Sequence, residues 1–297
     1  MLDGLALSYR RSARNFANRS LIRPLHNRCG RQRTVQPTPL EGLPSHLKRR
    51  SGDLLPVGPF PKAREAAAAY AASRDLDYVP LRTYRKVNRR RAAFIAAEYD
   101  RMPHRPHSPE VKASYEALKS ETLAQYRVIL LTGIKVELFD DSDDTKHPYG
   151  RSPIEAMIDI VANNHVWIDA TERYFGEGDQ SSQDDFEDNP LLEPSPVHIG
   201  GKPALYNDIF RAVHDYFGHA KEGVGFFSDG EENAWRGHST LYTRDALPAL
   251  TTELRGQNSW VNFGPSGLIS RTTGDYDYAQ QKIGLLPSWC WDDGRLD

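Results

Sequence analysis

The chain has 297 residues, of which 39% are hydrophobic and 10% aromatic, a composition typical of a soluble globular protein with one domain plus extensions. No apolar run is long enough to cross a bilayer, and Cys29 and Cys290 are too few and too far apart for a disulfide framework or a thiolate zinc site. The net charge of −2 hides a division, because residues 1–105 carry 22 Lys+Arg and 8 Asp+Glu and the remainder carries 16 and 32.

Residues 1–61 are expected to form a flexible basic arm and linker. No acidic residue occurs between Asp3 and Glu41, arginine recurs throughout this stretch, and residues 44–61 are rich in proline and glycine. Three interpretations stay open: a mitochondrial transit peptide, a nucleic-acid-binding arm, or a segment that docks on the acidic half of its own or a neighbouring subunit. Residues 1–60 are therefore a candidate contact for a nucleic acid or protein partner. If the arm is a transit peptide instead, the protein is expected in mitochondria.

Residues 62–297 are expected to form one mostly helical domain. Alanine-rich residues 62–73 and the stretch 82–101 predict helices, and Pro109 suits the first position of a third helix. The apolar face of that third helix comprises Val111, Tyr115, Leu118, Leu123, Tyr126 and Ile129. A further helix is predicted over 153–163.

Residues 134–139 alternate as a strand, with 166–168 as its expected partner. The fold class is thus α+β, predominantly helical with a small two- or three-stranded sheet. Two acidic loops, at 140–144 and 176–188, lack the ligand spacing of an EF-hand and are interpreted as solvated. The sequence contains no P-loop, no dinucleotide-binding glycine fingerprint and no nucleophile elbow.

The most informative stretch is 214–219, His-Asp-Tyr-Phe-Gly-His, because neutral imidazole is the commonest protein metal ligand. Residues five apart on an uninterrupted α-helix point in different directions. Gly218 is therefore expected to end a helix capped by Asn207 or Asp208, as a left-handed residue that turns His219 back over His214. Asp215 is expected to orient an imidazole from outside the ligand set.

Between residues 229 and 262, polar residues occupy positions where a core helix would carry leucine or valine. Within a helix predicted over 251–262, Glu253, Gln257 and Trp260 form one stripe, and a buried carboxylate needs a cation or several donors. Glu253 is therefore the expected third metal ligand. Glu231 and Glu232 compete for that role but have capping-box spacing to Ser228 and Asp229. His238, one turn beyond Trp235, is placed to reach the same cavity.

The segment 214–219 is similar to the His-Glu-x-x-Gly-His segment of the pterin-dependent aromatic amino acid hydroxylases, and Thr252-Glu253 resembles the region carrying that family's third iron ligand. The resemblance implies a 2-His-1-carboxylate site that leaves coordination positions open for oxygen and substrate. It implies that His214, His219 and Glu253 bind Fe(II).

A second resemblance covers about residues 107–287. Segments such as Ser108-Pro-Glu-Val-Lys-Ala-Ser-Tyr, His147-Pro-Tyr-Gly, Gly230-Glu-Glu-Asn-Ala-Trp, Arg255-Gly-Gln-Asn-Ser-Trp and Gln281-Lys-Ile-Gly-Leu-Leu-Pro look like an uncharacterised domain of phage-encoded proteins. This resemblance implies a bacterial or phage setting, with a cytoplasmic or virion-associated location.

These observations favour a mononuclear non-haem Fe(II) oxygenase that hydroxylates a small molecule, a nucleobase or a nucleotide, with a site within residues 207–262. Zn or Mn are the other metals considered, and the reductant, a pterin or another, is open. Expected substrate-orienting residues are Arg255, Gln257 and Asn258, and the expected stacking walls are Trp235 and Trp260. Two alternatives stay open: a metal-dependent hydrolase, because His214-Asp215 resembles the central pair of HD-type phosphohydrolases, and a non-enzymatic virion or nucleic-acid-associated protein that uses its basic arm.

Overall fold

The structure is a computed structural model that describes residues 58–141, 146–149, 154–174, 188–269 and 279–292. In chain order the α-helices are α1 (Pro61–Ser73), α2 (Arg89–Arg101), α3 (Pro109–Leu131), α4 (Ile154–Asn163), α5 (Thr171–Tyr174), α6 (Tyr206–Val213), α7 (Ser228–Ser239), α8 (Leu247–Thr251) and α9 (Gln257–Phe263). Two π-helices, π1 (His214–Ala220) and π2 (Thr252–Gly256), follow α6 and α8 directly. Short 3₁₀ turns cover Pro190–Leu192 and Ser288–Cys290. The strands are β1 (Lys135–Phe139), β2 (His165–Asp169), β3 (Pro194–Ile199) and β4 (Lys202–Leu205).

The expected α+β class is confirmed. Strands β1 and β2 pair in parallel, with Lys135 opposite His165, and α4 forms the crossover between them. Strands β3 and β4 pair antiparallel through a turn at Gly200 and Gly201, whose positive φ angles of 59° and 82° suit residues without a Cβ. The described residues therefore contain two sheets of two strands each, in a structure otherwise built from helices.

Helix α3 runs through the middle of the core. Pro109 occupies its first turn, as predicted, and its buried side includes Tyr115, Leu118 and Ile129. One core cluster joins α1, α3, the parallel sheet and the α6–π1 rod, and a second joins α3 to α7 and α8. A third cluster packs α2 against α9 and residues 279–290. The polar groups of α3, such as Gln125, thereby face the helices that carry the candidate site.

Helix α2 begins later than predicted. It starts at Arg89, where the Asn88 side chain accepts a hydrogen bond from the backbone of Arg91 at 3.1 Å. The preceding residues are tied to α7 instead, because the backbone N–H groups of Arg85 and Val87 donate to the side chains of Asn233 and Asp229. Residues whose N–H groups point outward to another helix cannot also form helical hydrogen bonds.

The expectations for the arm at 1–57 and for most of the acidic loops lie outside the described residues. Of the first acidic loop, Asp140 pairs with Lys202 and Asp141 with Lys146. Among the residues that the structure describes, no helix is both long and apolar enough to span a membrane.

Candidate metal centre

A π-helix brings His214 and His219 onto one face. Helix α6 continues without a break into π1, where the N–H of Lys221 donates to the carbonyl of Tyr216, five residues earlier, at 2.9 Å. Each π-turn closes between residues five apart, so the two histidines lie one above the other. Their ring centroids are 4.7 Å apart, with the ring planes at 83°.

Gly218 serves this geometry in a different way from the one predicted. It is not among the glycines with a positive φ, and the chain turns instead at Gly223, where φ is 68°. The absence of a side chain at Gly218 is nevertheless required, because a Cβ there would lie 2.7 Å from Nδ1 of His214. The glycine provides room for the imidazole ring and does not end the helix.

Glu231 of α7 supplies the third donor. Its Oε2 lies 3.5 Å from Nε2 of His214 and 3.5 Å from Nε2 of His219. Metal–nitrogen bonds of about 2.1 Å place neighbouring ligand atoms about 3.0 to 3.5 Å apart, for octahedral and tetrahedral angles respectively. All three residues are buried, and one ligand atom from each lies within 4.8 Å of the others. A buried His214–His219–Glu231 group could therefore hold a metal ion.

Glu253, the third ligand expected from the sequence, is not part of this group. It lies in π2, where its Oε1 accepts a hydrogen bond from the Tyr115 hydroxyl at 2.5 Å and its Oε2 accepts one from Gln257 at 3.1 Å. Burial raises the pKa of Glu253, so protein donors and a tendency to protonate stabilise this carboxyl. Of the two expected ways to stabilise a buried carboxylate, a cation or several donors, Glu253 uses the donors, and Glu231 takes the third place.

The hydrogen bonds around His214 fix which of its nitrogens faces the site. The amide nitrogen of Gln125 donates to the carbonyl of Leu241 at 3.0 Å, so its Oε1 accepts from Nε2 of His238. Nδ1 of His238 is then the acceptor of its 3.2 Å contact with Nδ1 of His214. His214 consequently carries its proton on Nδ1 and presents the Nε2 lone pair to Glu231 and His219. The expectation that His238 reaches the site is confirmed by these contacts.

His219 has the equivalent arrangement with a backbone partner. Its Nδ1 lies 3.3 Å from the carbonyl oxygen of Val224, which can only accept, so Nδ1 holds the proton. The ring stacks on Phe226, with centroids 4.0 Å apart. A metal-binding histidine commonly donates its second N–H to a carbonyl or another acceptor, and both histidines do so here.

The electrostatics of the three residues suit a cation. Burial lowers the pKa of His214 to about 4, so this ring is neutral at pH 7. Burial alone would lower the pKa of His219 and raise that of Glu231, but their mutual attraction raises the first and brings the second to about 2. Nε2 of His214 and Nε2 of His219, the two nitrogens that face Oε2 of Glu231, are buried without a hydrogen-bond partner among the described residues, and so is the other oxygen of Glu231, Oε1. Such orphaned acceptors are rare in protein interiors, and an ion bound between the two imidazoles and Oε2 of Glu231 would satisfy both nitrogens.

Asp215 lies beside this group. Its side chain is buried, and neither carboxylate oxygen has a hydrogen-bond partner among the described residues. Burial raises its pKa to about 7, with smaller opposing effects from His219 and Glu231. Asp215 is therefore poised to hold or release a proton near neutral pH. The sequence predicted Asp215 as a catalytic residue, either orienting an imidazole or, in the hydrolase alternative, forming an HD-type pair with His214.

The predicted substrate-binding residues are engaged with other parts of the chain. Arg255 forms a bidentate ion pair with Glu232 and lies 4.1 Å over the ring of Trp235. Gln257 donates to Glu253, and Trp260 donates to Asp100 at 3.1 Å. The amide of Asn258 lies 3.5 Å from the carbonyl of Ser228 and also accepts from Asn262. These contacts stabilise the junction of α7, π2 and α9.

Two residues of the site have only weak signals in the sequence. Capping-box spacing explains a glutamate at the start of a helix equally well, so the sequence alone favours Glu253 over Glu231. Gln125 lies on a helix 89 residues before His214 in the chain and was missed, since only tertiary packing brings it to His238.

In comparisons with known proteins, no family model, no curated protein and no solved structure matches this chain.

Proposed function

We propose that the protein is a mononuclear non-haem Fe(II) oxygenase that hydroxylates a small molecule, a nucleobase or a nucleotide. The observation that carries this proposal is the convergence of three buried ligand atoms, from His214, His219 and Glu231, inside the core, where the two histidine nitrogens have no hydrogen-bond partner among the described residues. Two imidazoles and one carboxylate are the donor set of iron oxygenases, and three protein ligands leave positions of a six-coordinate ion open.

Each residue has a specific task in this proposal. His214, His219 and Glu231 would hold the ion, while His238 and Gln125 keep the His214 lone pair pointing at it. Asp215 holds or moves a proton next to the site, because its pKa lies near neutrality. Bound iron would supply oxygen activation, with a pterin or another two-electron reductant as the co-substrate.

The buried carboxylate of Asp215, which has no hydrogen-bond partner in the described part of the chain, favours a second candidate, a metal-dependent hydrolase. Two histidines and a glutamate also form catalytic zinc sites, in which bound water is the nucleophile. Asp215 would then accept the proton of that water. Zn or Mn would replace iron, and no oxygen would be consumed.

One experiment separates these two candidates. The protein is purified without chelators, and its metal content is measured. Samples loaded with Fe(II), Zn or Mn are then incubated, together with a reduced pterin as the two-electron reductant, with nucleosides, nucleotides and aromatic amino acids in air and under argon. The proposal predicts one equivalent of iron and turnover that stops without oxygen. Turnover that persists under argon with Zn or Mn would establish the hydrolase, and a protein that binds no transition metal would defeat both.

A further inference from the structure

A strip of exposed cations precedes and begins helix α2. It consists of Arg82, Arg85, Lys86, Arg89 and Arg90, all exposed, and is called the basic strip below. No acidic residue occurs in the sequence between Asp77 and Glu98. Within the part of the chain that the structure describes, none of the five forms an ion pair with a carboxylate. Elsewhere in the described part of the fold, exposed cations such as Lys146 and Lys202 do have such partners.

Aromatic side chains lie among these cations. Tyr84, Phe94 and Trp289 are 40%, 55% and 38% exposed. The guanidinium of Arg90 lies 5.9 Å from the centroid of the Phe94 ring, and that of Arg91 lies 5.4 Å from the centroid of the Trp289 ring. A surface that binds single-stranded nucleic acid combines these features, because cations neutralise phosphates and exposed rings stack on unpaired bases.

The backbone of the basic strip is held in place. Asn233 of α7 both accepts from the N–H of Arg85 and donates to its carbonyl, at 3.0 and 2.6 Å. Asp229 accepts from the N–H of Val87 at 2.9 Å, and Asn88 caps the 13-residue helix that follows. A partner that binds a preformed surface pays less ordering entropy than one that must organise a loop.

Helix α7 separates the basic strip from the candidate metal centre. Asp229 and Asn233, four residues apart, share the face that holds the strip. Glu231 lies midway between them in sequence and therefore points to the opposite face, towards His214 and His219. Binding at the strip can thus be measured independently of the metal.

We propose that the basic strip, with Phe94 and Trp289, binds single-stranded nucleic acid. The five cations pair with the phosphates, and the two rings stack on bases. Anionic membranes and acidic proteins would match the charge, but they have no planar bases for the exposed rings. This surface lies outside residues 1–60, so it is distinct from the basic arm.

The test uses the full chain and a fluorescein-labelled oligothymidylate, with binding followed by anisotropy between about 50 and 200 mM salt. Arg89→Ala/Arg90→Ala removes two cations from the first turn of α2, where positive charge opposes the helix dipole, so folding is not compromised. The matched control is Lys112→Ala/Arg127→Ala, which removes two exposed cations of α3. Because the arm is present in every sample, only differences between variants are interpreted.

The proposal predicts that Arg89→Ala/Arg90→Ala weakens binding and reduces the slope of log affinity against log salt by about 1.4, or about 0.7 for each lost phosphate contact. Phe94→Ala is expected to weaken binding by about fivefold or more while leaving the slope unchanged. The control and metal-free protein should bind like the parent, and duplex DNA should bind more weakly. The proposal would be overturned if Arg89→Ala/Arg90→Ala and Phe94→Ala both bound like the parent, or if Lys112→Ala/Arg127→Ala lost as much affinity as Arg89→Ala/Arg90→Ala. It would also be overturned if anionic lipid vesicles or duplex DNA competed more strongly than unlabelled oligothymidylate.

Discussion

Replacement of Gly218 by alanine tests how the π-helix positions its first histidine. A Cβ at this position would lie 2.7 Å from Nδ1 and 2.9 Å from Cε1 of His214, whereas ordinary contact begins at 3.4 Å. The ring must therefore retreat by about 0.7 Å, the difference between 3.4 and 2.7 Å, and metal–ligand distances tolerate deviations of only about 0.2 Å. The retreat also disturbs the hydrogen bond from His214 to His238.

The expected loss of metal affinity is tenfold or more, since disturbing a ligand's supporting contacts alone costs about 10- to 100-fold. The free energy of unfolding is expected to fall by at most about 2.5 kcal/mol, the largest overpacking cost less the smallest gain from alanine. Overpacking costs about 1–3 kcal/mol, and replacing a helical glycine by alanine returns about 0.5–1 kcal/mol.

Gly256→Ala is a matched control from the second π-helix. Its new Cβ would lie 2.8 Å from side-chain atoms of Leu286 and Tyr99, so the crowding is similar but touches no candidate ligand. Metal affinity is measured by competition with a chromogenic chelator, and unfolding by denaturant titration without metal. Gly218→Ala should lose affinity and Gly256→Ala should keep it, with comparable losses of stability. Equal affinities for the parent and Gly218→Ala would refute the reasoning.

Two further predictions concern the surroundings of the ligands. His238→Leu leaves Nδ1–H of His214 without an acceptor and should weaken metal binding about 10- to 100-fold. His238→Gln retains an acceptor and should restore most of the affinity. Equal metal affinities in the two variants would contradict the proposed tautomers. The pKa of Asp215 is raised from 3.8 to about 7, so its contribution to stability is present below pH 3.8 and is lost as pH rises to 7. Asp215→Asn should therefore become more stable than the metal-free parent as pH rises, by up to about 4 kcal/mol at pH 7.5. The measurement is denaturant unfolding of both proteins across this pH range. If the difference between their free energies of unfolding did not change with pH, the raised pKa of Asp215 would be contradicted.

Local patterns in the sequence predicted much of the fold. Proline and apolar periodicity placed the start and buried face of α3, and alternation identified the strand over 134–139 with its partner near 166. The start of α2 was placed too early, because the side chains of Asp229 and Asn233, over 140 residues away, draw residues 85–87 into an extended segment. No local propensity contains that information.

The candidate site was predicted only in part, again because local sequence patterns do not show tertiary contacts. The two histidines five residues apart indicated a shared metal, but the geometry that unites them is a π-helix, which has no periodic signature in one sequence. The choice between Glu231 and Glu253 depended on Tyr115 and Gln257, whose hydroxyl and amide satisfy Glu253 in the folded chain. Spacing along a helix cannot show which carboxylate finds protein donors and which is left without them.

The most direct measurement compares the metal stoichiometry of Glu231→Gln and Glu253→Gln, both prepared without chelators and both verified as folded by circular dichroism. If His214, His219 and Glu231 form the metal centre, Glu231→Gln loses the bound ion and Glu253→Gln retains one equivalent. Full metal content in Glu231→Gln, or loss of the ion from Glu253→Gln alone, would contradict the assignment.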